Sequence, residues 1–465
     1  MNGNKTGIHV FSVNGWDLAY DGATGSLHKC DPVGKAVLEW VGGNPSLALT
    51  SAGGRREVPP ELLTHCGDRF HRPDIDRAWE DFLEMRGSTL YGRDDTVETS
   101  WDPYTPWVKA LCLNVAHDCN LACRYCFAGL GRFGGNPQLM TPETAVSAIE
   151  FAIRASGPRR FIDVDFFGGE PLLAFDSVVA AIDYAKNQGA ARGKVFRFTL
   201  TTNCVLLDQE KLDFLNREGV SLILSLDGRP EVHDAMRPCR GGGGSHAVAL
   251  ANAKRAVESR GGRDYYVRGT YTVMNLDFDR DARYLYEQGF RRISLEPAVG
   301  EDYEWSIREV HLPQIEQSYG RLTQFWDECR DRGDPLEFYH FDLGLRRGVC
   351  KERRVTGCGA GYEYLAVTPS GELYTCHQLV GNPDHLLGDI RDGIRAHDLP
   401  KALAAARVTS KTACSDCWAR YLCGGGCHAR ALAVTGDLLR PDPLTCLITK
   451  KRLEFALYAE AKRVS

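Results

Sequence analysis

The chain has 465 residues, 43% of them hydrophobic and 25% charged, a globular composition that excludes disordered and fibrous classes and suffices for two or three domains. Lys+Arg number 56 against Asp+Glu 61, a formal charge of -5, so no global basic field points to a polyanion and no nucleic acid partner is expected. No apolar run reaches the ~18 residues of a membrane span, and the opening MNGNKTGIHVFSVNG lacks the layout of a secretory signal, so a cytoplasmic protein with no membrane partner is expected. In a reducing compartment, 17 cysteines point to metal ligation or redox chemistry rather than to disulfides.

Along the chain, the alternating runs IHVFSV, DLAYD and SLHKC, punctuated by Asn14-Gly15 and Ala23-Thr24-Gly25, predict a small β-meander. PVGKAVLEWV, PPELLTHC and DIDRAWEDFLEMRG carry helical spacing, with starts at Pro59 and Asp74. Residues 1–90 thus form a β-plus-helix module, followed by a linker over 91–107 rich in Asp, Thr and Pro. From 108 to 300 one theme repeats. The strands VKALCLNVA, FIDVDFFGG, VFRFTLTTN, VSLILSLDG, YYVRGTYTV and RISLEPAV alternate with the helical segments TPETAVSAIEFAIRAS, DSVVAAIDYAKNQG, DQEKLDFLNREG, HAVALANAKRAVES and DFDRDARYLYEQG. Six βα units in series predict parallel strands with right-handed crossovers, in an open partial barrel or a doubly wound sheet with its site at the strands' C-terminal ends. Residues 301–349 read as a helical bridge. Residues 350–465 form the last section, in which short strands and loops from Cys350 to about Cys446 hold most of the remaining cysteines.

After the first barrel strand, CNLACRYCF sets Cys119, Cys123 and Cys126 in a C-x3-C-x2-C array. Three thiolates on one loop can hold three irons of a [4Fe-4S] cluster and leave the fourth open; the competing reading is a zinc knuckle lacking its fourth ligand. The array in this place resembles the radical S-adenosylmethionine (SAM) superfamily. The resemblance implies an α/β fold with a partial (β/α)6 barrel, a cluster whose open iron chelates SAM, and a 5'-deoxyadenosyl radical. It also implies that Gly168, Gly169 and Glu170 in FFGGEP bind the methionyl amine, and that Thr202, Asn203, Ser225 and Asp227 lie in SAM-contacting segments. Arg237 and Arg268 are candidates for the SAM carboxylate or a substrate group, and Leu295 for the adenine side. Relatives commonly have glycine where Cys204 stands.

Cys358 and Cys376 bracket a C-x12-G-x4-C element with Gly371 in place, Cys414, Cys417, Cys423 and Cys427 form C-x2-C-x5-C-x3-C, and Cys446 follows. A zinc ribbon also uses C-x2-C pairs, but seven thiolates exceed one zinc site. The order resembles the iron-sulfur SPASM extension of radical SAM enzymes. That implies two auxiliary [4Fe-4S] clusters, one on Cys414, Cys417, Cys423 and Cys446 and one on Cys358, Cys376 and Cys427, the latter completed by Cys350 or by a substrate thiolate. With the SAM-binding cluster, three [4Fe-4S] clusters and SAM are the expected cofactors. The six other cysteines read as packing residues.

Longer stretches, among them KALCLNVAHDCNLACRYCFAG and GCGAGYEYLAVTPSGELYTCHQLVGN, are similar to peptide thioether maturases of the ranthipeptide and SCIFF type. The implied activity joins a cysteine sulfur to an acceptor carbon in a cysteine-rich precursor peptide, with flavodoxin or ferredoxin as electron donor. The first 90 residues resemble a winged-helix-like recognition module that binds the leader as an added edge strand; their removal is expected to weaken leader binding and leave SAM cleavage measurable. The alternatives are carbon-carbon cyclisation, Cys-Asp/Glu crosslinking, sulfatase-type maturation and, from another class, an iron-sulfur DNA-binding regulator. Sulfatase-type enzymes carry an aspartate base where this chain has His377.

Overall fold

The computed structural model describes residues 8–44, 57–87, 104–300, 303–345 and 355–464. Cys350 and most of the expected linker lie outside them.

The meander forms as an antiparallel sheet of β1 (Ile8–Val13), β2 (Trp16–Asp21) and β3 (Leu27–Cys30). Asn14 and Gly15 both have positive φ, the geometry a two-residue hairpin turn requires, so Val13 pairs with Trp16. Asp31 caps the helix Pro32–Gly43, and two further helices follow at Pro60–Cys66 and Arg72–Gly87. The second begins two residues before the predicted Asp74, which sits in its first turn. Strand alternation splits the sheet between two cores. Ile8 and Ala19 pack with Val37, Val41, Leu62, Trp79 and Phe82 of the helices, whereas Phe11, Val13, Leu18 and Tyr20 belong to the main core.

All six predicted barrel strands form: β4 (Ala110–Ala116), β5 (Phe161–Gly168), β6 (Val195–Thr202), β7 (Ser221–Ser225), β8 (Tyr265–Tyr271) and β9 (Arg292–Pro297). They pair in parallel and in chain order. A doubly wound sheet needs a reversal of strand order, so unbroken order selects the singly wound, partial-barrel alternative. The crossover helices start as their sequences direct, with Thr141 capping Pro142–Ala155 and Asp208 capping Gln209–Arg217.

The sheet continues past both ends of the barrel. Beyond β9, β10 (Glu337–Phe338) pairs in parallel, after the helix Leu312–Asp331 of the predicted bridge. On the other side, β11 (Tyr364–Val367) pairs in parallel with β4, and β12 (Glu372–Tyr374), β13 (Leu386–Asp389) and β14 (Gly393–Ile394) extend it antiparallel. The open backbone edge of β4 is thereby covered by the cysteine-rich region. A 20-residue helix, Pro443–Lys462, not predicted from the sequence, begins where the expected run of short strands and loops stops at about Cys446. Among the described residues no helix is long and apolar enough to cross a membrane.

Candidate functional site

Cys119, Cys123 and Cys126 lie on the loop leaving β4. The Ala122 amide donates to the Pro238 carbonyl at 2.8 Å and the Arg124 amide to that of Met236 at 2.9 Å, so the segment after helix Pro230–Met236 holds the loop by its backbone. The three thiols act on one another electrostatically, and burial pushes Cys119 up to about 12 and raises Cys123. A thiol buried this way stays protonated until a metal replaces its proton.

Gly168 and Gly169 admit the loop to the end of β5. A Cβ on Gly168 would stand 2.4 Å from the Ala116 carbonyl oxygen, and one on Gly169 2.0 Å from that of Asp118. Glu170 is fully buried and its carboxylate already accepts three protein donors: Thr202 Oγ1 at 2.8 Å and the amides of Asn203 and Leu172 at 2.8 and 3.1 Å. It ties β5 to β6, with burial raising its carboxyl to about 7 against these bonds. Asn203 in turn donates to Asn120 Oδ1 at 2.8 Å and to Cys119 Sγ at 3.7 Å. Cys204 has φ +66, a left-handed backbone that glycine adopts more readily than cysteine.

Arg237 is buried and engaged: it donates to the Tyr125 hydroxyl at 2.8 Å, which donates to Asp227 Oδ2 at 2.5 Å, while Asp227 Oδ1 accepts the Thr270 amide at 3.0 Å. Tyr125, between Cys123 and Cys126, thereby pins the loop from inside; its position within C-x2-C was the signal for it. Ser225 ends β7 and is in register with Arg268 on β8. Arg268 is exposed and has no ion pair among the described residues, yet its charge reaches Asp165, Glu296, His340 and His377. Leu295 is fully buried, and a Cβ on Gly269 would meet its Cδ2 at 2.6 Å, so it belongs to the core rather than to an open wall.

Asp165, in register with Cys112 on β4 and Thr199 on β6, was not singled out from the sequence, although a carboxylate between Val164 and Phe166 was a visible signal. Its Oδ1 is buried without a hydrogen-bond partner among the described residues, and burial pushes the carboxyl up to about 7 against the pull of Arg268. Because its affinity for protons is higher folded than unfolded, the stability it contributes is full below about pH 4 and is lost as pH rises through 7. Three pK units are at most ~4 kcal/mol. Asp165→Asn is therefore expected to raise the melting temperature more at pH 8 than at pH 5; equal shifts in melts at the two pH values would contradict a buried, unpaired carboxylate.

The seven C-terminal thiols separate into two electrostatic neighbourhoods. Cys376 meets Cys358 and Cys427, whereas Cys446 meets Cys414, Cys417 and Cys423. Cys427 and Cys423 flank Gly424, Gly425 and Gly426, and Cys446 lies in the first turn of Pro443–Lys462, capped by Asp442. Among the described residues no three Cys, His, Asp or Glu side chains close to the spacing a single metal ion takes. Sets of three and four thiols are the donor chemistry that iron-sulfur clusters take. None of the sixteen described cysteines forms a disulfide. His377 follows Cys376, accepts or donates at 2.6 Å with the Tyr364 hydroxyl, and packs edge-on against Phe127 and Phe167. Burial lowers its imidazole to about 4.

Residues 113–289 match the Radical SAM superfamily. Over 366 residues the chain is 21% identical to the radical SAM cyclopropyl synthase TigE of Paramaledivibacter caminithermalis, a match covering 74% of this chain and 72% of TigE. Among solved structures, anSMEcpe with bound AdoMet superposes with a TM-score of 0.66 at 19% identity, over 77% of this chain and 96% of that one. Streptococcus suis SuiB bound to precursor peptide SuiA gives 0.51 at 14% identity, over 94% of this chain and 97% of that one. At these identities the two structures show a shared fold.

Proposed function

From the radical SAM domain that this chain carries at residues 113–289, we propose that the protein is a peptide maturase installing thioether crosslinks between cysteine and an acceptor residue of a cysteine-rich precursor peptide. The observation that carries this reading is the division of ten cysteines into three neighbourhoods of three, three and four thiols. SuiB binds a precursor peptide, which supports a peptide substrate here.

In this reading Cys119, Cys123 and Cys126 hold the SAM-binding cluster. With SAM, such a cluster supplies one-electron cleavage to a 5'-deoxyadenosyl radical. Gly168 and Gly169 bring the loop against the end of β5, Glu170 orients Thr202 and Asn203, and the Arg237–Tyr125–Asp227 chain fixes the loop. Arg268, which has no ion pair among the described residues, offers its guanidinium to a carboxylate of SAM or peptide. Cys414, Cys417, Cys423 and Cys446 hold one auxiliary cluster. Cys358, Cys376 and Cys427 hold the other, with Cys350 or a substrate thiolate as its fourth ligand. The leader adds to the outer edge of β3, which has no strand partner among the described residues. A flavodoxin or ferredoxin supplies electrons.

The test is anaerobic co-expression with a small cysteine-rich peptide, chosen from any encoded beside the gene, followed by high-resolution mass spectrometry. Thioether formation is expected to remove two hydrogens per bond, with equal loss of alkylatable thiols and fragments placing sulfur on a non-cysteine residue. Hydrogen loss with every thiol still alkylatable after reduction would replace this reading with carbon-carbon cyclisation.

A further inference from the structure

Lys411 is fully buried and forms no ion pair with a carboxylate among the described residues. An isolated ammonium removed from water is heavily penalised unless something negative compensates it. Its ammonium donates to the Gly425 carbonyl, 2.7 Å from Nζ. The groups within electrostatic reach of it are thiols of both C-terminal sets, which turn negative when a metal takes their protons: Cys414, Cys423 and Cys446 from one, Cys427 and Cys358 from the other.

The carbonyl it holds belongs to the strap between the two sets. Cys423 and Cys427 are joined by Gly424, Gly425 and Gly426, with φ of +78, +87 and +77, a run of left-handed backbone that only glycine adopts readily. A Cβ on Gly425 would stand 3.2 Å from Val408 Cγ1 and 3.5 Å from Lys411 Nζ, so strap and lysine are packed against one another. The ammonium is therefore fixed at the junction where the chain passes from one thiol set to the next.

We propose that Lys411 is the shared counter-charge of the two C-terminal iron-sulfur sites, favouring the reduced state of the clusters held on either side of it. The inference rests on the assignment of those thiols under Proposed function. Reduction adds negative charge to a cluster, and a fixed cation in a dry setting stabilises that charge; net charge, hydrogen bonding and solvent exposure set such potentials. Lys411 acts through the clusters, and its role is electrostatic tuning rather than contact with substrate.

The experiment uses the full chain reconstituted with iron and sulfide, as wild type, Lys411→Met and Lys411→Arg. Iron is counted per chain, and anaerobic redox titrations are followed by electron paramagnetic resonance, with SAM added to mark the signal belonging to Cys119, Cys123 and Cys126. At a fixed potential, Lys411→Met is expected to lower the reduced-to-oxidised ratio of an auxiliary cluster at least tenfold, which is ~59 mV for one electron. Lys411→Arg, which keeps the charge, stays near wild type. Loss of auxiliary iron in the Met variant alone would equally support the counter-charge. Full iron with an unchanged ratio in Lys411→Met, or the same loss of iron in both variants, would overturn it. Wild-type protein reconstituting to only about four irons per chain would instead defeat the cluster assignment itself.

Discussion

Replacing Cys123 with alanine is expected to abolish SAM cleavage, with 5'-deoxyadenosine falling to the level of an enzyme-free control under reducing conditions. The loop offers three thiols, and removing one leaves two, too few to hold a cluster by three of its irons. The defect separates from unfolding because the loop's path depends on the backbone bonds of Ala122 and Arg124 and on the Tyr125 contacts with Arg237 and Asp227, none of which uses the Cys123 side chain. The variant's melting curve without iron should match that of the iron-free wild type. Cys239→Ser is the control, since among the described residues Cys239 Sγ donates only to the Gly244 carbonyl, at 3.6 Å, and its loss should leave cleavage intact. Undiminished 5'-deoxyadenosine from Cys123→Ala would refute the site.

Deleting residues 1–90 is expected to collapse the whole protein, contrary to the separable module that the sequence suggests. Phe11, Val13, Leu18 and Tyr20 are buried in the same core as the barrel. Exposing or losing four such side chains costs about 2 kcal/mol each, or ~8 kcal/mol together, within the 5–15 kcal/mol range of a domain's entire stability. Polar contacts add to this. His9 stacks on Trp418 with ring centroids 4.0 Å apart and planes 3° from parallel, its Nε2 lies 2.9 Å from Glu454, and Asn14 donates to Thr323 at 3.0 Å. A Cβ at Gly22 would stand 2.2 Å from the Trp418 carbonyl oxygen, so the sheet also meets backbone beside Cys417. The truncated chain should aggregate or melt at least ~10 °C lower, with SAM cleavage lost in parallel. A truncated chain that melts like the full one would show this packing to be wrong. Leader recognition is accordingly tested by point substitutions along β3, in a chain that stays folded.

Several features were legible in the sequence because their determinants are local. Alternating apolar residues marked β1 and β2, short β-rich apolar runs marked all six barrel strands, Asn14-Gly15 marked the hairpin turn, and the spacing of Cys119, Cys123 and Cys126 marked one loop. The helix Pro443–Lys462 escaped because it is buried on all sides from Leu453 to Ala461, which removes the polar face that makes a helix periodic.

Other features depend on which segments meet. Periodicity was equally compatible with a doubly wound sheet, and only strand order decided for the partial barrel. The edge of β4 could have stayed open, and pairing with β11 joined the cysteine-rich region to the barrel's sheet. Glu170, Arg237 and Leu295 looked like ligand contacts by position, yet each has protein partners that arrive from other strands and loops. The sequence by itself determined the strands, the turns and the thiol inventory, since backbone period and residue spacing are properties of neighbours along the chain. Only the tertiary structure decided the strand order, the partners of the buried charges and the place of Lys411 between two sets of thiols, because burial and charge compensation are set by residues far apart in sequence.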